Sequence, residues 1–213
     1  MPLSPLTFIQ QTFRNFKTTG AIAPSTRFLG QKMALSIPRP VPEGFRVLEV
    51  GPGTGPVTRE IVRRMDGRGH LELWEISAHF CEFLKAMTRR EASFQRMGDR
   101  ITVNQGDVRE HRERHAYDAI ISGLPFNCFS AEEVRGFLEH FRVLLKPGGT
   151  LSWFEYVGIR KLQAPFVSAQ RRAQLRGIHE VTHEFARKHQ YGQHIIPVNF
   201  PPARVRHLRF GND

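Results

Sequence analysis

Apolar residues follow two different spacings along this chain, and together they predict an α/β protein. Short apolar runs typical of buried strands are predicted as strands over residues 45–50, 71–76, 101–103, 117–122, 150–156, 193–198 and 203–210. Segments with apolar residues three and four positions apart are predicted as helices over residues 56–65, 78–88, 131–145 and 169–188. This alternation predicts a seven-stranded, mostly parallel sheet with helices on both faces.

The first 40 residues are predicted to form amphipathic membrane-binding and lid helices ahead of a sheet domain over residues 41–213. Over residues 5–17 the apolar side chains fall on one side of a helix that has no acid. The candidate membrane-binding residues of this helix are Phe8, Ile9, Phe13, Phe16 and Lys17. Such a helix lies in an anionic membrane interface or packs on the domain. Ser25 can cap a second helix over residues 26–35.

The first predicted strand ends at three glycines spaced two residues apart, Gly51, Gly53 and Gly55. Glycines let the backbone turn sharply and approach a ligand, and the next helix begins with free N–H groups. The dinucleotide fingerprint has its third glycine one residue later, and here Glu49 stands just ahead of the turn. This pattern resembles motif I of class I S-adenosylmethionine (SAM) methyltransferases. A carboxylate there suits an α-amino group and a sulfonium cation. The alternatives are a nicotinamide or flavin nucleotide, or no ligand.

Further candidates for the cofactor site follow the second and third strands. Glu75 can accept both ribose hydroxyls, as in nicotinamide enzymes, or it is a solvated loop acid. Ile76 can cover the adenine face or belong to the core. Asp107 can accept from the adenine N6 amine while the Val108 N–H donates to N1, although an acid there can also cap a helix. The predicted cofactor set is completed by two serines, Ser25 and Ser122.

Composition narrows the classes of partner. The length of 213 residues suits one domain with a sizeable core. A net charge of +11 predicts an anionic partner, which can be nucleic acid, an anionic membrane surface or an acidic substrate. Cys81 and Cys128 have no metal or redox spacing, so we expect free thiols and no metal. Neither a signal peptide nor a bilayer-spanning run is evident, so we expect a soluble or peripheral protein inside the cell.

The end of the fourth predicted strand is where methyl acceptors approach SAM. N6-adenine methyltransferases, including the rRNA adenine dimethylases, carry Asn or Asp there, followed by any residue, proline and an aromatic residue. This chain has Gly123 in the polar slot but keeps Pro125 and Phe126. A flipped adenine would lose its main hydrogen bond, so we do not expect a nucleic acid acceptor.

Four stretches together resemble the bacterial phospholipid N-methyltransferases. They cover residues 17–29, 47–55, 121–127 and 199–203, and the similarity extends over nearly the whole chain. The resemblance implies a Rossmann-like class I fold and three methyl transfers from SAM, which convert phosphatidylethanolamine to phosphatidylcholine and leave S-adenosylhomocysteine (SAH). It also implies a protein, expected to be a monomer, bound peripherally at the inner face of the bacterial membrane. The alternatives are an rRNA adenine or small-molecule N-methyltransferase and a non-catalytic binding module.

Methyl transfer to a lipid amine requires a neutral nucleophile held in line about 3 Å from the methyl group. A lipid ammonium must therefore lose a proton, to water, to the lipid phosphate or to a side chain. The candidate acceptors are Tyr156, which ends the fifth strand, His194 and Tyr191. The faces of Phe126 and Tyr156 can hold an increasingly methylated ammonium by cation–π attraction, or they belong to the core.

The lipid phosphate requires a cation. Arg160 and Lys161 directly follow the fifth predicted strand and are the predicted phosphate ligands. Further basic residues at helical spacing are Arg171, Arg172 and Arg176. The remaining C-terminal arginines, Arg204, Arg206 and Arg209, are predicted to form a basic strand face.

Overall fold

Six helices and seven strands alternate in the computed structural model, which describes residues 24–157, 168–199 and 202–211. The helices are α1 (Pro24–Met33), α2 (Pro56–Met65), α3 (Ala78–Arg90), α4 (Ala92–Gln95), α5 (Ala131–Leu144) and α6 (Ala169–His189). The strands are β1 (Arg46–Val50), β2 (His70–Glu75), β3 (Ile101–Gln105), β4 (Tyr117–Ser122), β5 (Leu145–Tyr156), β6 (Gln190–Ile196) and β7 (Ala203–Arg209).

The strands form one sheet in the order β3-β2-β1-β4-β5-β7-β6. Strands β1 to β5 are parallel, whereas β7 pairs antiparallel with both β5 and β6. The predicted mostly parallel, seven-stranded sheet is therefore confirmed. The strand order reverses between β1 and β4, and such a switch point opens a crevice at the carboxyl ends of the strands.

Two apolar layers cover the faces of the sheet. The layer under α1, α2 and α3 includes Met33, Ile61, Leu73, Leu84 and Ile121. The layer under α5 and α6 includes Phe137, Phe141, Leu151, Trp153 and Phe185. Helices thus lie on both faces, as the apolar periodicity predicts, because a sheet with two apolar faces needs cover on each side.

Several element boundaries differ from prediction, among them the starts of β5, β6 and α1. Strand β5 begins at Leu145 because Leu145 already pairs with Tyr117, and the strand continues through Gly148, whose φ is 78°. Strand β6 begins directly after α6, at Gln190, and its alternating exposure as an edge strand left no apolar run to detect. Helix α1 begins at Pro24, so Ser25 lies within it and not at its cap.

The described part of the predicted N-terminal unit packs on the sheet domain. Met33 and Ile37 are fully buried, and the Arg64 Nε donates to the Ile37 carbonyl oxygen at 2.5 Å. The predicted domain boundary after residue 40 stays a prediction. The candidate membrane residues Phe8, Ile9, Phe13, Phe16 and Lys17 lie outside the described residues. Among the described helices, none is both long and apolar enough to cross a membrane.

A buried chain of hydrogen bonds joins the segment after α1 to β5 and β7. The His207 Nδ1 lies 2.7 Å from the Ser152 Oγ, which donates to the Ser36 Oγ at 3.0 Å. The His207 Nε2 is buried and has no hydrogen-bond partner among the described residues. Burial, followed by the neighbouring His194, lowers the pKa of His207 to about 4. Ser152 and His207 resemble a nucleophile and its base. Both side chains are buried, however, so we assign the pair a structural role.

We expect stability to fall as the pH drops from about 6.5 to about 4, because the unfolded chain takes up a proton that native His207 refuses. The loss from this residue should approach about 3 kcal/mol at pH 4. His207→Asn keeps an N–H donor without an ionisable group and should lose this part of the pH dependence. Urea unfolding at several pH values measures it, and equal slopes in the two proteins would contradict the assignment.

Candidate active site

The glycine turn after β1 forms the centre of the crevice. Gly51, Gly53 and Gly55 have φ values of 68°, 56° and 75°, all in the left-handed region that other residues rarely adopt. Helix α2 begins at Pro56, directly after the turn. The turn therefore leads straight into a helix N-terminus, where free N–H groups and the helix dipole favour a polar ligand.

Glu49 lies in β1 just before this turn and is 1% exposed. Burial, the largest effect, raises the pKa of Glu49 to about 8, and the negative charge of Glu75 adds to the rise. The Thr58 hydroxyl is near enough to oppose it, but neither this hydroxyl nor the Glu49 oxygens hydrogen-bond to any described residue. A buried carboxyl group without a partner is costly, and its negative form is stable here only beside a cation or a hydrogen-bond donor that a ligand supplies. The predicted cofactor carries both, and the site fits it.

Glu75 ends β2 on the other side of the turn and is also buried. One of its oxygens accepts from the Gly53 N–H at 3.0 Å and the other from the Ser77 N–H at 2.9 Å. Burial raises the pKa of Glu75, and these N–H groups oppose the rise. Glu75 therefore holds the glycine turn and lies where a ligand on the turn would meet it. Ile76 follows it and is 37% exposed.

Asp107 lies at the same edge of the sheet, because the Gly106 N–H donates to the Glu75 carbonyl at 3.0 Å. Its carboxylate accepts from the Arg109 backbone N–H at 2.9 Å and from the Arg109 guanidinium. Burial would raise the pKa of Asp107, but these contacts outweigh it and the pKa is lowered. Asp107 thus caps the short 3₁₀ turn Val108–Glu110, and Val108 is buried.

Gly123 packs directly against the glycine turn. Its N–H donates to the Val50 carbonyl at 2.8 Å, and a Cβ at this position would lie 2.6 Å from the Gly51 carbonyl oxygen. A side chain is therefore excluded unless the backbone moves. Ser122, one residue earlier, is fully buried, and its hydroxyl accepts from the Leu124 N–H at 3.3 Å. The polar slot of the adenine enzymes is thus closed by packing as well as by sequence.

A cavity of about 180 Å³ opens next to this segment, at the carboxyl end of β5. Its lining includes Pro125, Phe126, Trp153, Glu155, Tyr156 and Arg204. The Phe126 and Trp153 ring centroids are 6.1 Å apart, and Tyr156 meets Phe154 edge to face at 5.4 Å. Burial raises the pKa of Tyr156, and the nearby Cys128 adds to the rise. The structure therefore brings together the three predicted catalytic candidates, Pro125, Phe126 and Tyr156.

Other predicted site residues lie elsewhere. His194 contacts His207 within the sheet, and Tyr191 stacks on Arg209; neither is among the described residues that line the cavity. The predicted phosphate ligands Arg160 and Lys161 lie outside the described residues, as does the side chain of Ser25.

Sequence reasoning did not single out Trp153 and Glu155, which line the cavity, and it named Arg171 only as one of three basic residues at helical spacing. Arg171 of α6 donates to the Asn127 carbonyl at 2.8 Å and so braces the segment that carries Phe126. The predicted basic strand face is wrong for Arg206, which is 6% exposed and paired with Glu155 at 2.8 Å. Strand alternation places Trp153 and Glu155 on one face, and this period of two was the available signal. In the described part of the chain, no group of three or more His, Cys, Asp or Glu residues can hold a metal ion.

Comparison with known proteins agrees with this geometry. Residues 47–149 match the family model described as methyltransferase domain. An ornithine lipid N-methyltransferase from Singulisphaera acidiphila is 28% identical over 152 residues, which are 68% of this chain and 74% of that protein. A SAM-dependent methyltransferase from Aquifex aeolicus superposes with a TM-score of 0.62 at 12% identity, over 92% of this chain and 97% of that one. An O-methyltransferase from Bacillus cereus in complex with SAH superposes with a TM-score of 0.60 at 16% identity, over 98% of this chain and 92% of that one.

The matched domain and the fold define a SAM-dependent methyltransferase of the Rossmann-like, class I type, and its cofactor is SAM. The predicted fold class and cofactor are thereby confirmed.

Proposed function

We propose that this methyltransferase transfers methyl groups to the amine of a lipid headgroup, namely phosphatidylethanolamine and its mono- and dimethyl derivatives, to give phosphatidylcholine. The observation that carries the proposal is the aromatic cavity lined by Pro125, Phe126 and Tyr156. Gly123, two residues before Pro125, packs on the Gly51 carbonyl and leaves no room for the polar anchor that a nucleobase needs. The similarity to an ornithine lipid N-methyltransferase and the four stretches that resemble phospholipid N-methyltransferases support a lipid amine as acceptor.

In this proposal the orphan carboxylate of Glu49 receives the α-amino group of SAM, close to its sulfonium. Glu75 accepts hydrogen bonds from the ribose hydroxyls. To do so, its carboxylate gives up part of the hydrogen bond that it now accepts from the Gly53 N–H. Asp107 receives the adenine amine. The remaining proposed cofactor contacts are the glycine turn (Gly51, Gly53 and Gly55), Ile76, Val108, Ser25 and Ser122. Bound SAM supplies the electrophilic methyl group, and the chain supplies position and charge.

The acceptor amine enters between Pro125, Phe126 and Tyr156. Because burial raises the pKa of Tyr156, its phenol stays protonated at neutral pH, which opposes the predicted role as proton acceptor. The hydroxyl oxygen can instead accept a hydrogen bond from the amine, and the proton leaves to water or to the lipid phosphate. Aromatic faces attract the positive charge of an ammonium whatever the number of its N–H groups. One cavity therefore suits an amine with zero to two methyl substituents.

The membrane part of the proposal concerns residues outside the described structure. Phe8, Ile9, Phe13, Phe16 and Lys17 are proposed to hold the protein peripherally at the inner, anionic membrane face. Arg160 and Lys161 are proposed as phosphate ligands. The net charge of +11 supports an anionic surface as partner.

The test is methyl transfer from labelled SAM by the purified full chain. We expect label in phosphatidylethanolamine vesicles and none in RNA or in free ethanolamine. Label confined to RNA or to a small amine, or no label in any acceptor, would overturn the proposed function.

A matched pair of phenylalanines makes the test specific to the cavity. Phe126→Leu removes an aromatic wall and should lower kcat/KM for the lipid roughly 3- to 30-fold, the scale of one cation–π contact. Phe129→Leu is the control, because Phe129 is equally buried but packs on Phe137 at 5.1 Å and is not among the cavity-lining residues. Equal losses in both variants would contradict an acceptor role for Phe126.

A further inference from the structure

One permanent cation is present among the described residues that line the acceptor cavity, and it is Arg204. Arg204 lies near the start of β7 and pairs in register with Glu155, next to the pair formed by Ala203 and Tyr156. Its side chain is 29% exposed. This register places the Arg204 side chain on the same face of the sheet as Glu155 and Trp153, and it lines the same cavity as the aromatic residues.

The contacts of Arg204 are incomplete. Its Nη1 donates to a Glu155 oxygen over a long 3.3 Å, and its Nε is buried without a hydrogen-bond partner among the described residues. A buried donor that lacks an acceptor is costly unless a ligand supplies one. The guanidinium fork suits an anion with two oxygens, such as a phosphate or a carboxylate.

Glu155 does not depend on Arg204. Arg206 already holds the same Glu155 oxygen, with its Nε at 3.0 Å and its Nη2 at 2.8 Å. Arg206 also donates to Gln190 at 2.6 Å and is 6% exposed, so it is fixed in the sheet. The two arginines thus differ: Arg206 neutralises Glu155, while Arg204 lines the cavity and has, among the described residues, only a long contact to Glu155 and an unpaired Nε.

We propose that Arg204 is the anion anchor of the acceptor site and binds the anionic oxygens next to the methyl-accepting amine. In phosphatidylethanolamine these oxygens belong to the phosphate, and in an ornithine headgroup they belong to the carboxylate. This inference rests on the proposed function and deepens it. With the anion on Arg204, the amine of a short headgroup is directed to the aromatic end of the cavity, so Arg204 selects amines that carry an adjacent anion.

The test compares Arg204→Gln with Arg209→Gln in the full chain. Arg209 lies on the same strand but is exposed and rests on the Tyr191 ring at 4.7 Å, so the control removes one positive charge away from the cavity. For phosphatidylethanolamine vesicles in a neutral carrier lipid, Arg204→Gln should raise KM roughly tenfold or more, since it removes charge-assisted hydrogen bonds. The kcat and the SAM affinity should change little. Arg204→Lys keeps the positive charge without the planar guanidinium, and its KM should lie between those of the wild type and Arg204→Gln.

Two soluble probes isolate the anion. Glycerophosphoethanolamine carries a phosphate next to its amine, whereas ethanolamine does not. The first should inhibit the wild type more strongly than the second, and this difference should disappear in Arg204→Gln. The same KM comparison with ornithine-lipid vesicles shows whether a carboxylate is bound in place of phosphate, and a rise with either lipid supports the anchor.

An unchanged KM in Arg204→Gln with both lipids would overturn the inference. Loss of SAM affinity in both Arg204 variants would also overturn it, because it would assign Arg204 to the fold. A wild-type protein that methylates neither lipid would instead overturn the proposed function, so the two failures are distinguishable.

Discussion

Glu49→Gln should weaken SAM binding at least roughly 100-fold, the scale for removing one partner of a buried charge pair. The amide has nearly the size of the carboxyl group, so packing in β1 is kept, but it cannot take the negative charge that pairs with bound SAM. Calorimetric titration with SAM measures the effect. Glu60→Gln is the control, because Glu60 is also buried but is paired with Arg63 and Arg27, and its change should leave SAM affinity intact.

The same variant should be more stable than the wild type when no SAM is present. Burial raises the pKa of Glu49 to about 8, so native Glu49 keeps its proton while the unfolded chain releases one above about pH 4.5. This resistance lowers wild-type stability as the pH rises from 4.5 to 8, and Gln, which does not ionise, removes it. At pH 8 we expect a gain of roughly 4 kcal/mol, and at pH 5 a difference below about 1 kcal/mol.

Urea unfolding at the two pH values, with and without SAM, measures both effects. SAM at 100 times its Kd should stabilise the wild type by about 2.7 kcal/mol and the variant hardly at all. If Glu49→Gln still binds SAM tightly, the assignment of Glu49 to the cofactor site is contradicted. A variant less stable than the wild type at pH 8 would show that the carboxylate has a partner in the apo protein.

Gly123→Ala should damage both the fold and the cofactor site. The new Cβ would lie 2.6 Å from the Gly51 carbonyl oxygen and 3.4 Å from that of Val50, and these are backbone atoms that cannot rotate away. We expect a loss of about 1–3 kcal/mol in the free energy of unfolding and weaker SAM binding, because the shift displaces the glycine turn. Gly123→Asn, which restores the residue type of the adenine enzymes, should behave no better.

Gly136→Ala is the matched control for Gly123→Ala. Gly136 lies in the middle of α5, where a Cβ meets nothing within 4 Å. It should stabilise the protein by about 0.5–1 kcal/mol, because alanine favours the helix. Thermal unfolding with and without SAM measures both variants. Normal SAM affinity in Gly123→Ala would show that the turn tolerates a side chain and that packing does not close the polar slot.

The fold and the glycine turn were predictable because their signals are local. The period of apolar residues and the glycines Gly51, Gly53 and Gly55 act within a few residues of where they stand. The edge strand β6 escaped prediction in its first residues, since alternate exposure produces no apolar run. Gly123 was recognised as the missing polar anchor, but the reason for its smallness, contact with Gly51, lies far along the chain.

By itself the sequence determined an α/β sheet with a SAM-type turn at the end of its first strand, since propensity, periodicity and glycine conformation are short-range properties. Only the tertiary structure decided that Glu49 has no partner among the described residues, that Glu75 braces Gly53, and that Arg204 lines the cavity while Arg206 is buried. Glu155 and Arg204 are 49 residues apart in sequence. Whether Arg204 or Arg206 keeps an unpaired donor depends on strand pairing and burial, and the local sequence around the two residues determines neither.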